Sequence, residues 1–173
     1  PTPIHTTISS KPHKKRDEVV LFVGRLEERK GVHDIACILD QFFEACPNAR
    51  IEFIGSDCRY KSTIMSKFIL ENTKTANHGN ITFRGQLTNE LARERMLSSK
   101  MLIMPSYRES FGLVALEAMA SGLPVLAYGA TALPEVLGED NALMIVDRGN
   151  KEMLLNRLID LFGDDRRLER TSK

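Results

Sequence analysis

Two carboxylates and two cations stand where they could bind an anionic, hydroxyl-rich ligand. Glu109 and Glu117 lie within the run PSYRESFGLVALEAMASGLP, residues 105–124. From Gly112 to Ala120 every residue except Glu117 is apolar, so a helix there has no solvent face and is expected to be buried. A buried carboxylate is costly unless hydrogen-bonded or paired, and Glu117 therefore requires a partner. Glu109 falls in the loop that precedes the helix. Free backbone N–H groups and the positive dipole end at a helix start favour anions, while carboxylates accept from hydroxyl groups. A ligand with both phosphates and hydroxyls, such as a nucleotide sugar, meets both demands. The cations are Arg25 and Lys30, which bracket the strand-to-helix loop Gly24-Arg25-Leu26-Glu27-Glu28-Arg29-Lys30-Gly31. Such a pair can hold a diphosphate by charge-assisted hydrogen bonds. With Glu27, Glu28 and Arg29 in the same loop, a solvated charged turn is the competing reading. Glu117 could also be met by Arg25 or Lys30 in a buried ion pair without any ligand.

Paired carboxylates also serve glycoside hydrolysis, where they flank the scissile bond. A glutamate in the second turn of a buried helix is better placed to clamp a cis-diol than to attack a carbon. Another near match is Gly55-Ser56-Asp57-Cys58-Arg59-Tyr60-Lys61-Ser62, which approaches the phosphate loop of nucleotide hydrolases but has Tyr60 where glycine is needed. The fingerprint G-x-G-x-x-G is absent, as is any D-x-D pair for a divalent ion, so leaving-group charge falls to protein cations. His5, His13, His33 and His78 are scattered, with solvated surface imidazoles the simplest reading, and Cys37, Cys46 and Cys58 lack zinc-site spacing. Free thiols, no metal and no cofactor are expected.

These residues need a scaffold, and the hydrophobic pattern supplies one. Short apolar runs at 19–23, 51–54, 81–83, 101–104, 125–127 and 142–146 read as strands. Helical periodicity occupies roughly 31–45, 61–75, 88–99, 112–121, 133–138 and 151–162. Alternation of this kind predicts an α/β, Rossmann-like parallel sheet with helices on both faces. Ligands bind such sheets beyond the carboxyl ends of the strands. Those positions hold Gly24-Arg25, Gly55-Ser56-Asp57, Gly85-Gln86, Pro105-Ser106 and Gly129, which together predict one cleft. The seven methionines fall at core-like positions and are expected to pack.

With 173 residues and 42% apolar content the chain can fill one core. A net charge of +1 gives no electrostatic case for nucleic acid. No apolar run reaches membrane-spanning length and the first residues have no signal-like apolar core, which points to a cytoplasmic location. Residues 1–17 are polar and proline-containing and read as an interdomain linker, whose Lys11, His13, Lys14, Lys15 and Arg16 could alternatively touch anionic lipid. Residues 18–173 form the domain.

Taken together, VGRLEERKG, IEFIGS, ITFRGQL, PSYRESFGLVALEAMASGLPVLA and ALPEVLGEDNAL resemble, in family order, the donor-binding C-terminal half of the retaining glycosyltransferases of family four, with their two-lobed GT-B fold. The resemblance covers about residues 18–162. It implies a hexosyltransferase that moves a sugar from a nucleotide sugar to an acceptor with retention and without metal, in polysaccharide or glycolipid synthesis. Arg25 and Lys30 would bind the diphosphate and stabilise its departure, and Glu109 would contact the sugar hydroxyls. These three would form the catalytic set. Glu117 would hold the ribose, and backbone groups of Phe111, Gly112, Leu113 and Val114 would complete the phosphate site beside Gly24. Main chain at Gly85, Gln86 and Leu87 would face the base, with UDP-, GDP- and ADP-sugars all candidates. Where the family often has a glycine pair before L-P-E, this chain has Thr131-Ala132. The family's acceptor-binding N-terminal domain is not in this chain, and any peripheral membrane contact would be made there. The isolated domain is therefore expected to bind donor without transferring sugar. A non-catalytic nucleotide-sugar module is the alternative, and a nucleotide hydrolase a more distant one.

Overall fold

The apolar runs at 19–23, 51–54, 101–104 and 125–127 become strands covered on both faces. The computed structural model describes residues 16–109, 111–130 and 144–164. In chain order the elements are β1 (Asp17–Val23), α1 (Val32–Ala45), β2 (Arg50–Ile54), β3 (Arg59–Tyr60), β4 (Thr63–Ile64), α2 (Met65–Glu71), β5 (Ile81–Gly85), α3 (Asn89–Ser98), β6 (Ser99–Met104), α4 (Leu113–Ala120), β7 (Val125–Tyr128), β8 (Ile145–Val146) and α5 (Lys151–Gly163). Single 3-10 turns cover Glu28–Lys30 and Thr75–Asn80.

Six strands build one sheet in the order β5-β2-β1-β6-β7-β8, parallel throughout. Strand order runs outward in one direction from β1 and in the other from β6, so the topological switch lies between these two strands. Side chains alternate across β1. Val20 and Phe22 join the core layer under α1, α2 and α5, and Leu21 joins the layer under α3 and α4 with Leu102, Met104, Ala115 and Ala118. Val32, Ile35, Leu39 and Phe42 of α1 recur at helical spacing and are buried against the sheet. Burial of a side chain such as Phe42 contributes about 1.5–3 kcal/mol, and its ring meets Phe162 of α5 edge-on at 5.3 Å. Thr88 caps α3 through the Leu91 N–H and Asn150 caps α5 through the Met153 N–H, as hydroxyl and amide side chains do at helix starts.

Three local readings are corrected. The helix expected from residue 61 begins only at Met65, because Arg59–Tyr60 and Thr63–Ile64 pair as an antiparallel hairpin with Lys61 at φ 53° in its turn. The β-branched Thr63 and Ile64 favour extended backbone, and the Met65 N–H closes the hairpin base on the Cys58 carbonyl. Tyr60 is buried here with its ring edge-on to Phe68, so this segment is not shaped as a phosphate loop. Second, Arg16 and Asp17 belong to the fold. The Arg16 guanidinium donates to the carbonyls of Ser99 and Gly122 at 3.1 and 2.6 Å, and β1 starts at Asp17. Third, His33 and His78 are not simply solvated. His33 stacks between Tyr60 and Tyr107, and His78 bonds the Leu70 and Thr73 carbonyls. Of the strand expected at 142–146, residues 145 and 146 are present; its start and the helix expected at 133–138 lie outside the described residues. The three cysteines are free thiols, and no described helix is long and apolar enough to cross a membrane.

One polar group inside the fold carries a stability prediction. Glu52, in the middle of β2 and 3% exposed, accepts from Nε and Nη2 of both Arg84 on β5 and Arg95 on α3 at 2.8–3.1 Å. Burial alone would raise its pKa, but the hydrogen bonds and charges of Arg84 and Arg95 outweigh that and hold it below the usual carboxylate range. A group depressed on folding stabilises above its unfolded pKa, about 4.3 for glutamate, and that stabilisation is lost as pH falls through the folded value. Glu52→Gln should cost about 2–3 kcal/mol at neutral pH and flatten the acid limb of stability. Urea denaturation at neutral and acid pH measures both, and a variant with the parent's pH dependence refutes the assignment.

Candidate functional site

At the carboxyl ends of β1, β2 and β5 the chain continues the sheet with glycines. The Gly24 N–H donates to the Ile54 carbonyl and the Gly55 N–H to the Gly85 carbonyl, both at 2.8 Å. Gly55 has φ 142°, and a Cβ there would lie 1.9 Å from the Gly24 carbonyl oxygen, so only glycine closes this ladder. A Cβ at Gly24 would meet the Phe22 ring and the Lys30 stem at 3.8–3.9 Å. Lys30 thus lies along the glycine floor.

Above that floor opens a cleft of about 620 Å³. Gly24 and Arg25 from the end of β1, Ser56 after β2 and Gln86 and Leu87 after β5 line one side. The opposite wall is α4, which presents Leu113, Val114, Glu117, Ala120 and Ser121 to the cleft, a single face at helical spacing. This corrects the reading of α4 as a buried helix. Ala115 and Ala118 alone are fully buried in it, Leu113 and Leu116 are 61% and 45% exposed, and Glu117 is exposed. Among the described residues no cation pairs with Glu117, so the ligand-free buried ion pair does not form. Glu117 instead faces the cleft.

Gly112 takes the left-handed conformation, φ 61°, as the N-cap of α4, and no described side chain caps the helix. The helix start at Leu113 and Val114 lies on the cleft lining, where the dipole of α4 favours an anion. Phe111, just before it, is 72% exposed.

Lys30 and Glu109 form an ion pair at 2.6 Å with side chains only 15% and 13% exposed. Their loops are laced together. Gly31, at φ 69°, approaches the Pro105 carbonyl so closely that a Cβ would lie 1.9 Å from its oxygen, and the Tyr107 N–H donates to the Arg29 carbonyl at 2.9 Å. Tyr107 then donates its hydroxyl to Asp34 at 2.7 Å. Burial, and next the Asp34 carboxylate, push the Tyr107 phenol up to about 12. Arg25, by contrast, is 60% exposed and meets Glu27 at 3.2 Å.

Of the residues singled out in the sequence, Gly24, Arg25, Gln86, Leu87, Leu113, Val114 and Glu117 line the one cleft. Lys30 adjoins it through Gly24 and brings Glu109 with it. Gly85 closes the ladder at its back, and Phe111 and Gly112 lead into the helix start. Ser56, expected at the cleft from its place after β2, lines it too, whereas sequence reading missed Asn89, Arg93 and Ser121. Asn89 and Arg93 are four apart at the start of α3, a spacing that places them on one face just after Gly85-Gln86-Leu87. Thr131, Ala132 and the L-P-E element lie outside the described residues. No three His, Cys, Asp or Glu side chains converge among the described residues as a metal site.

Comparison with known proteins identifies the family and the fold. Residues 4–173 match the family described as glycosyl transferases group 1. Sulfoquinovosyl transferase SQD2 of Arabidopsis thaliana is 36% identical over 122 residues, covering 70% of this chain and 21% of SQD2. The C-terminal domain of a glycosyl transferase group 1 family protein, LpcC of Francisella tularensis, superimposes with TM-score 0.77 at 23% identity over 90% of this chain and 80% of that one. A mutant of S. aureus TarM in complex with fondaparinux, alpha-GlcNAc-glycerol and UDP has TM-score 0.79 at 17% identity, covering 94% and 32% of the two chains. The present chain spans 21% to 42% of the curated relatives compared.

The contact between Gly31 and Pro105 generates a direct test of how the site is held. Gly31→Ala adds a Cβ in left-handed backbone against a carbonyl, combining about 1–2 kcal/mol of conformational strain with about 1–3 kcal/mol of overpacking. Chemical denaturation should show a loss of about 2–5 kcal/mol. A variant as stable as the parent would mean that these two loops are not in contact.

Proposed function

The chain belongs to the glycosyl transferases group 1 family, and from that premise we propose that it is the C-terminal, donor-binding domain of a retaining hexosyltransferase that uses a nucleoside diphosphate sugar without a metal ion. The observation that carries this reading is a cleft lined by Arg25, Glu117 and the start of α4, which no described side chain caps, with the Lys30–Glu109 ion pair adjoining it beside Gly24. Arg25 and Lys30 supply countercharge to a diphosphate, and the α4 N–H groups supply oriented donors. Lys30 is held in place by Glu109 before reaction and Arg25 is exposed at the cleft, so both can meet the negative charge that grows as the sugar departs, the kind of stabilisation that lowers a barrier most effectively. Glu109 accepts from sugar hydroxyls while Lys30 holds it in place. Glu117, farther along α4, accepts from the ribose diol. The backbone of Gly85, Gln86 and Leu87 faces the base.

In the proposed reaction the anomeric configuration is retained. The departing diphosphate helps to remove the acceptor proton on the face it leaves, with no enzyme nucleophile. An acceptor-binding domain elsewhere in a longer protein supplies the acceptor, and positioning of that kind contributes about 7–11 kcal/mol to such reactions. The presence of both cations together with both carboxylates supports an enzyme over a passive nucleotide-sugar module.

Titration calorimetry with UDP-, GDP- and ADP-sugars should give binding to one of them that persists in EDTA. Binding that appears only with magnesium or manganese would overturn the metal-free reading, and binding to none would overturn the donor assignment. Substitution then separates the carboxylates. Glu117→Gln should weaken nucleoside diphosphate and full donor alike by about 1.5–3 kcal/mol, roughly 10- to 150-fold in Kd. Glu109→Gln should weaken only the sugar-bearing ligand. Equal loss of the bare nucleoside diphosphate in both variants would refute the division of roles.

A further inference from the structure

Asp34 is a buried carboxylate that the reading above leaves unused. It lies in the first turn of α1, 2% exposed, beside Val32, Ile35 and Ala36. One oxygen, Oδ2, accepts from the hydroxyls of Tyr107 at 2.7 Å and Tyr128 at 3.0 Å. The other faces His33 Nε2 at 3.5 Å and Lys151 Nζ at 3.9 Å. Burying a carboxylate for stability alone brings little, because well-packed apolar side chains do as well or better. Its placement suggests a different use. Asp34 stands in the first turn of α1, Tyr107 follows β6 and Tyr128 ends β7, so one carboxylate ties the start of α1 to the carboxyl ends of two strands.

Tyr107 is held at two points. Its hydroxyl is fixed by Asp34, and its N–H by the Arg29 carbonyl at 2.9 Å. Lys30 is the next residue after Arg29, and Glu109 follows two residues after Tyr107. Any shift of Tyr107 relative to α1 therefore changes the separation of Lys30 and Glu109. We propose that Asp34 is a positioning residue which, through Tyr107, sets the register between the β1–α1 and β6–α4 turns and so holds Lys30 and Glu109 in the geometry that recognises the sugar. The proposal rests on the donor-binding reading, but part of its test does not.

The test uses this 173-residue chain with Tyr107→Phe, Tyr128→Phe and Asp34→Asn. Tyr107→Phe keeps the ring stacked on His33 and removes only the donor to Asp34. Amide hydrogen exchange should accelerate in residues 105–109 and 27–31 while the sheet stays protected. Affinity for the nucleoside diphosphate should stay within about twofold, while the extra affinity conferred by the sugar should fall about tenfold, as expected for one displaced charged hydrogen bond. Tyr128 donates to the same oxygen from another strand, and Tyr128→Phe should leave that extra affinity within about twofold. A merely structural Asp34 would make the two tyrosine variants equivalent, and that result overturns the proposal. Asp34→Asn is the second route should Tyr107→Phe not fold. The chain has three tyrosines and no tryptophan, so absorbance titration follows the phenols, and Tyr107 should titrate lower than in the parent, where burial and the Asp34 carboxylate push it up, with the same selective loss of sugar affinity. An unshifted phenol, or unchanged sugar affinity in a folded variant, refutes the link. If the parent itself does not distinguish a nucleoside diphosphate from its sugar, the donor reading fails. The positioning claim is then decided by exchange, supported by acceleration confined to 105–109 and 27–31 and overturned by a uniform or absent change.

Discussion

The architecture of the site depends on one close contact across the switch in strand order, where the turn after β1 meets the loop after β6. Gly31 packs so tightly on the Pro105 carbonyl that no side chain fits between them, and the Tyr107 N–H bonds Arg29. Residues far apart in sequence are thereby locked into one rigid edge. Parallel strands cannot be joined by short turns, so their carboxyl ends are free to carry loops. Where the strand order reverses, two such loops part and then must be brought together again by specific contacts. The Lys30–Glu109 ion pair is built on that edge.

Charge in this edge is arranged in two ways. Lys30 and Glu109 are mostly sequestered from solvent and paired with each other, which avoids leaving either charge unmatched in a poorly solvated place. Arg25 is the opposite case, exposed and loosely matched by Glu27, and an ion pair of that kind contributes little to stability. It is therefore available to an incoming anion at small cost. A phosphate near Gly24 would meet one exposed cation and one that is already oriented.

The apolar helix α4 shows how an exposed surface can be mistaken for a core. It has one face on the sheet through Ala115 and Ala118 and another along the cleft through Leu113, Val114 and Glu117. Leu116 and Phe111 remain exposed beside them. Large contiguous apolar exposure marks surfaces that take ligands or other protein, and the donor-binding reading gives both walls of this cleft a purpose. Glu117 is tolerated on such a helix because it faces water and the cleft, and among the described residues no cation neutralises it.

The sequence by itself determined the alternation of strands and helices, since β-branched runs and helical periodicity are local properties of the chain. It also pointed to Arg25, Lys30, Glu109 and Glu117, because charged residues amid apolar or glycine-rich segments stand out without any structure. Hairpin β3–β4 was hidden because its strands are only two residues long, too short to leave an alternating pattern, and only the pairing of Tyr60 with Thr63 settled its form. Tertiary structure alone decided that Glu117 is exposed, that Lys30 pairs with Glu109 rather than with Glu117, and that Asp34 collects Tyr107 and Tyr128. Those facts depend on which strand ends become neighbours. Partners separated by 73 and 94 positions leave no periodic trace in the chain, and only the packing of the sheet and its loops brings them within hydrogen-bonding distance.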